Sequence, residues 1–281
     1  MYEATNVLRY LRQSTIREIQ RKWGRKLICY VSGNRAEIDR DDIVGFGDLL
    51  QNVEPGNALD LLIHTGGGDI DASEKLILML RSAVGDGQLR VIVPDYAKSA
   101  GTLIAIGADS IVMSDSSELG PIDPQLVWYD RSGNNPMWHS VRNYLDAYKT
   151  FSEELRRNPS NTAAQIMLEK LDPVIFKRYE AIHARARQLA ENLLRSGMFR
   201  SGQGNITKTA SDLLDTDIWP DHGQVIDWHA AVRMELVVVY LSPKSEEWQD
   251  YWRLYCLQRL GIEKNQKLFE SDCVSLPFEQ S

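Results

Sequence analysis

The stretch Pro94-Asp-Tyr-Ala-Lys-Ser99-Ala-Gly-Thr-Leu-Ile-Ala-Ile-Gly-Ala-Asp109 decides how this chain is read. It follows a buried-type strand, Leu89-Arg-Val-Ile-Val-Pro94, turns on the small residues Ala100 and Gly101, and enters an almost wholly apolar helix from Thr102 to Ala108. A helix that is apolar all round is a buried one. A serine at its first turn has two readings. The backbone N–H groups beside its hydroxyl favour a developing oxyanion, which makes Ser99 a candidate nucleophile. Alternatively Ser99 only caps the helix, as serines commonly do, and taken alone the stretch favours the cap.

A second stretch reverses that preference. Ala58-Leu-Asp-Leu-Leu-Ile-His64-Thr-Gly66-Gly67-Gly68-Asp69 is a parallel-type strand ending in three glycines before a helix from Ile70 to Val84. Bare backbone there lets N–H groups approach a ligand closely, and no Lys-Ser or Lys-Thr follows as a phosphate loop requires. The order is strand, glycine turn, helix, strand, Ser-Ala-Gly turn, helix, strand (Ser110 to Ser114). That is the βαβ rhythm of a parallel sheet with right-handed crossovers. Both turns then fall at carboxyl ends of neighbouring strands, where α/β folds place their sites.

At 281 residues the chain can bury a full core with extensions to spare. It carries 43% hydrophobic and 25% charged residues, the balance of a soluble globular protein, and no apolar run approaches a membrane span. Its first residues, Met1-Tyr-Glu-Ala-Thr-Asn-Val-Leu, lack a basic start, apolar core and cleavage site, so no secretory leader is expected. Cys29, Cys256 and Cys273 are few and widely spaced, implying neither a disulfide framework nor a zinc site, and fit a reducing cytoplasm. A net charge of -7 argues against nucleic-acid binding. The locally basic run from Arg9 to Lys26 reads as a solvated helix face.

Thr65-Gly-Gly-Gly68, Lys98-Ser-Ala-Gly101 and Gly120-Pro-Ile-Asp-Pro-Gln125, with weaker matches through Ala190 to Met198 and at His222-Gly-Gln-Val-Ile226, resemble the Clp-fold serine peptidases. That group holds the Clp protease subunit and signal peptide peptidase A, and the resemblance is strongest to its serine dehydrogenase proteinase (SDH) branch. It covers roughly residues 25 to 236. The fold it implies is α/β, a Clp/crotonase-like spiral of βαβ units with an added helical arm and a C-terminal helical extension. Within it we expect an N-terminal helix over 1–24, a peptidase domain over 25–242 with the arm near 141–198, and an aromatic-rich helix and tail over 243–281. Ser132 to Pro136 reads as a loop, and Glu263 to Ser281 as a poorly ordered tail.

A serine hydroxyl needs a base. The Clp histidine, about 25 residues beyond the serine, is absent, because that region reads Gly120-Pro-Ile-Asp-Pro-Gln. Resemblance to the short signal peptide peptidases offers Lys149, which lies fifty residues beyond Ser99 on an amphipathic helix. A surface lysine is its bland reading. The third candidate, favoured here, is His222, in a loop before the short helix Asp227 to Met234; similar His-Gly motifs occur in the SDH branch. A loop histidine serves as a base without the burial that a lysine needs. Asp123 either orients that histidine or caps the turn around Pro121 and Pro124. His139, His183 and His229 have no comparable placement, and His64 is expected to pack. By resemblance Gly67 and Ala100 supply the oxyanion N–H groups, with Gly68 letting substrate backbone pass along a strand edge.

The activity implied is serine endopeptidase action on unfolded or extended polypeptide, with no cofactor or metal, in a homo-oligomer that leaves room for an unfoldase or chaperone partner. Trp248, Trp252 and Tyr255 on one segment, too apolar to stand alone in water, point the same way. Two other functions compete: a non-catalytic scaffold of the same fold, kept alive by the missing Clp histidine, and a crotonase-like acyl-CoA enzyme, against which Ser99 argues.

Overall fold

The computed structural model describes residues 6–129, 136–219 and 221–280. Helix α1 (Val7–Trp23) leads into β1 (Lys26–Ser32). Then α2 (Asp42–Leu50), β2 (Leu59–His64), α3 (Ile70–Val84), β3 (Leu89–Ile92), a short β4 (Tyr96–Ala97), α4 (Ala100–Ile106) and β5 (Ser110–Met113) follow in the expected alternation. After a short β6 (Glu118–Leu119) come β7 (Gln125–Tyr129), β8 (Pro136–Ser140) and the helices α5 (Val141–Arg157), α6 (Thr162–Glu169) and α7 (Pro173–Ser196). The chain closes with α8 (Ile206–Leu214), α9 (Trp228–Arg233), β9 (Val238–Tyr240), α10 (Glu246–Arg259), β10 (Gln266–Glu270) and β11 (Ser275–Glu279).

The main sheet runs β11-β10-β1-β2-β3-β5-β9, so the fold is α/β with a parallel-dominated sheet. Strands β1, β2, β3, β5 and β9 are parallel neighbours, while β10 and β11 extend the edge antiparallel. Side chains alternate across such a sheet, and both faces are covered. From β1, Ile28 and Tyr30 enter the larger core with α2, α3, α4 and the C-terminal half of α7; Leu27, Cys29 and Val31 enter a second core with Ile16 and Ile19 of α1 and Trp248, Tyr251, Leu254 and Tyr255 of α10. Local chemistry starts the helices where the sequence places them. The carboxylate of Asp69 accepts from the N–H groups of Asp71 and Ala72, and Asp172 caps α7 with Pro173 in its first turn.

Three expectations change. The expected loose tail over 263–281 is instead, through residue 280, a paired hairpin, because β10 pairs with β1 and β11 with β10. The aromatic segment needs no second chain to cover it: Trp248 and Tyr255 are buried against α1 and the sheet, and of these three aromatic residues Trp252 alone is exposed. Of the loop from Ser132 to Pro136, Pro136 opens β8, which pairs antiparallel with β7, and the rest lies outside the described residues. Helices α5 and α7 are joined by the aromatic pairs Tyr144–Tyr179 and Tyr148–Phe176. Leu189, Ala190, Leu193 and Leu194 of α7 belong to the main core.

His64 packs as expected, fully buried at the end of β2 with its ring tilted by 50° against that of Tyr96, centroids 4.0 Å apart. Its Nδ1 meets the Tyr255 hydroxyl at 3.2 Å, that hydroxyl donates to Asp95, and Nε2 has no partner among the described residues. Burial, aided by the charge of Arg259, pushes its pKa down from 6.5 to about 3. The unfolded chain therefore binds a proton that the folded one refuses. This contribution is present in full above pH 6.5 and is lost as pH falls toward 3, at up to about 1.4 kcal/mol per pH unit. We predict that His64→Phe flattens the decline of melting temperature between pH 7 and pH 4.5; a decline as steep as that of the native protein would contradict this account.

Candidate active site

Ser99 occupies the N-cap position of α4, but its side chain makes no capping hydrogen bond. Its backbone sits at φ 49°, ψ −112°, a positive φ that non-glycine residues seldom adopt and that a structure maintains only when its surroundings over-determine it. Those surroundings are rigid. Every residue of α4 is buried, and the N–H of Lys98 donates to the carbonyl of Thr65 while the N–H of Thr65 donates to that of Tyr96, both at 3.0 Å. The serine turn and the glycine turn are thereby laced side by side. The hydroxyl of Ser99 is not spent on its own helix and faces a cleft of about 860 Å³, shared with Gly66, Gly68, Asp123 and His222.

The glycines differ in what they require. Gly67 has φ 116°, and a Cβ there would lie 2.8 Å from Cβ of Ser99. Gly68 has φ 140° and abuts the backbone of Ile38, where a Cβ would come within 2.2 Å of the carbonyl oxygen. Gly66 has neither constraint. The amides differ too. The N–H of Gly67 donates to Oγ1 of Thr65 at 3.2 Å. The carbonyl of Gly67 accepts from Ile38 and the N–H of Asp69 donates to Ile38, so by strand alternation the N–H of Gly68 points to the opposite side. Neither it nor the N–H of Ala100 has an acceptor among the described residues.

Asp123 and His222 meet across 99 positions of sequence, with Nδ1 of the imidazole 2.6 Å from Oδ1 of the carboxylate. Asp123 is nearly buried and also accepts from Nε2 of Gln125 at 2.8 Å. With Nδ1–H donated to Asp123, the lone pair of the imidazole sits on Nε2. The turn carrying Asp123 is fastened by Thr102, a residue not singled out in the sequence. Its buried hydroxyl donates toward the carbonyls of Ala97 and Gly120 and accepts from the N–H of Gly120. A lone threonine in an apolar helix is the signal that could have found it.

The other candidates differ in placement. Lys149 is exposed on α5 and lines a separate depression with Tyr148, Glu153 and Phe176, not the cleft of Ser99. His139 does line that cleft. His183 lines a small pocket with Arg142 and Arg187, and His229 stacks on Trp228.

Residues 50–135 match the family model of ClpP-like SDH-type serine proteinases. That match carries both turns. The chain is 48% identical over 71 residues to an uncharacterized protein of Methanocaldococcus jannaschii, covering 25% of this chain and 24% of the relative. It is 28% identical over 182 residues to a membrane-bound protease of Pyrococcus horikoshii, covering 61% of this chain and 40% of that one. It therefore spans less than half the length of either relative. Among solved structures it is similar to the 1510-N membrane-bound stomatin-specific protease in complex with a substrate peptide, at 19% identity and a TM-score of 0.41, over 83% of this chain and 99% of that one. Among the described residues no helix is long and apolar enough to cross a membrane.

The unequal glycines give a direct test. Gly67→Ala should destabilise the protein by about 1–3 kcal/mol, through its positive φ and the contact with Ser99. Gly66→Ala should stay within about 0.5 kcal/mol of the native protein. Denaturant melts of the two variants check this, and equal losses would count against the described turn.

Proposed function

We propose that the protein is a serine endopeptidase acting on extended polypeptide through an acyl-enzyme on Ser99. The observation carrying this reading is the cleft itself. A serine with a strained backbone and a hydroxyl that makes no hydrogen bond to the described residues shares it with an imidazole oriented by a buried carboxylate. In this mechanism Nε2 of His222 takes the proton of Ser99 as Oγ attacks the scissile carbonyl, then gives it to the departing amine. Water, deprotonated by the same imidazole, releases the acyl group and restores the serine. Asp123 holds the tautomer and stabilises the imidazolium.

The oxyanion is assigned to the N–H groups of Gly68 and Ala100. Gly67, the residue implied by resemblance, gives its N–H to Thr65, which supports moving the role one residue on. His222 rather than Lys149 is assigned as the base, because it shares the cleft with Ser99 and Lys149 does not.

A reducing, cytoplasmic setting belongs to the same proposal and is supported by three free thiols, Cys29, Cys256 and Cys273. So does a homo-oligomer. Its support now comes from α1, where Val7, Leu8, Tyr10 and Leu11 stand exposed. Light scattering at micromolar concentration should give a mass above 32.0 kDa; a monomer would remove this part.

Labelling by a fluorophosphonate tests the chemistry. Ser99→Ala should abolish it with the fold intact, His222→Ala should slow it by about 10²–10⁴-fold, and Lys149→Ala should leave most of it. Labelling that survives Ser99→Ala would leave a non-catalytic scaffold as the better reading. Loss with Lys149→Ala and not with His222→Ala would move the chain to a serine–lysine mechanism.

A further inference from the structure

Lys98 immediately precedes Ser99, yet it does not line the cleft. Its side chain is only 14% exposed, and the ammonium lies 2.5 Å from the carboxylate of Glu118. It donates to the carbonyls of Leu119 and Gln224 at 3.2 Å and of Gly223 at 3.5 Å. The stem packs on Gly120, where a Cβ would come within 2.7 Å of Cδ of Lys98. The backbone of the same residue is bonded to Thr65 and Gly101. One residue thus touches the glycine turn, the start of α4, β6 and the loop that carries His222.

That loop has few other anchors. The N–H of Gly223 and of Gln224 bond back to Asp221, which closes the turn on itself without fixing it to the body. Among the described residues its outside ties are the bonds between Ile226 and Leu119, the pair His222–Asp123 and the ammonium of Lys98. The carbonyls that Lys98 holds belong to the two residues directly after His222.

We propose that Lys98 is a positioning residue: by fixing the carbonyls of Gly223 and Gln224 to β6, its ammonium sets the imidazole of His222 between Asp123 and Ser99. The inference rests on the reading of Ser99 and His222 given above. A lysine suits the place. Its three N–H donors diverge from one atom and meet acceptors converging from β6 and the loop, whereas the planar fork of an arginine matches paired acceptors on one side. With its donors facing acceptors, Lys98 presents no lone pair to Ser99 and is not the base.

The test is a double-mutant cycle read by the second-order rate of fluorophosphonate labelling, with melting temperature recorded for each variant. Lys98→Met keeps the stem and removes the donors. We expect it to slow labelling by about 10–100-fold in the native background and by less than about 3-fold in a His222→Ala background, because a residue acting through His222 has nothing left to position. Lys98→Arg, which keeps charge and donors, should recover part of the loss. A native rate with Lys98→Met, or the same loss in both backgrounds, would overturn the inference. If Lys98→Met does not fold, Lys98→Gln carries the same comparison. If His222→Ala alone labels at the native rate, the histidine reading fails first, and that arm involves no change at Lys98.

Discussion

Two backbone hydrogen bonds hold this site together, from Thr65 to Tyr96 and from Lys98 to Thr65, each 3.0 Å long. The register of β2 with β3 ends at Leu62 and Ile92. Beyond it the chains part, and the bridge between Thr65 and Ala97 starts a small ladder that leaves the main sheet. Strand β4 pairs with β6, and Leu119 of β6 pairs with Ile226. Each step brings one turn alongside the next: the glycines, then Ser99, then Gly120 to Asp123, then the loop of His222. Had the ladder ended with the main sheet, these four segments would share no common edge.

The scaffold beneath depends on buried charges that are paired. Asp60, on the face of β2 covered by α10, accepts from Arg25, Arg90 and Tyr251. Glu270 of β10 accepts from Arg12 of α1 and from Gln258 of α10, and Lys267 donates to Asp39 and Asp42. Such pairs contribute little net stability, but losing one partner leaves an uncompensated charge that costs about 3–5 kcal/mol. They therefore penalise any wrong register of the C-terminal hairpin.

This explains which parts were legible in the sequence. Helix α3 has the expected bounds, and β2, β3 and β5 fall where strands were expected, because their apolar patterns have one interpretation. Strand β10 was missed because its buried residues include Lys267 and Glu270, which read as solvated until Asp42 and Arg12 are seen beside them. The aromatic helix α10 was visible as a segment in need of cover. That α1 and the second face of the sheet supply the cover is a tertiary fact that periodicity does not encode. At the site, Ser99 and the glycines announce themselves by placement after strands. The distinction between Gly67 and Gly68 does not, since it turns on which amide Thr65 already occupies.

The pairing of Asp123 with His222 was the hardest element to read, and its physical basis shows why. Neither residue belongs to a helix or to a strand of the main sheet; each sits in a turn whose position is set by other residues' hydrogen bonds. Thr102 fixes the first turn and Lys98 the second. Both lie within three residues of Ser99 and project from a backbone that the strained serine already requires to be rigid. The segment 98–102 thus carries Ser99 while its flanking side chains hold the turns of Asp123 and His222. Strain at Ser99 and order at His222 are consequences of one tightly bonded turn, so a substitution that relaxes the first disturbs the second.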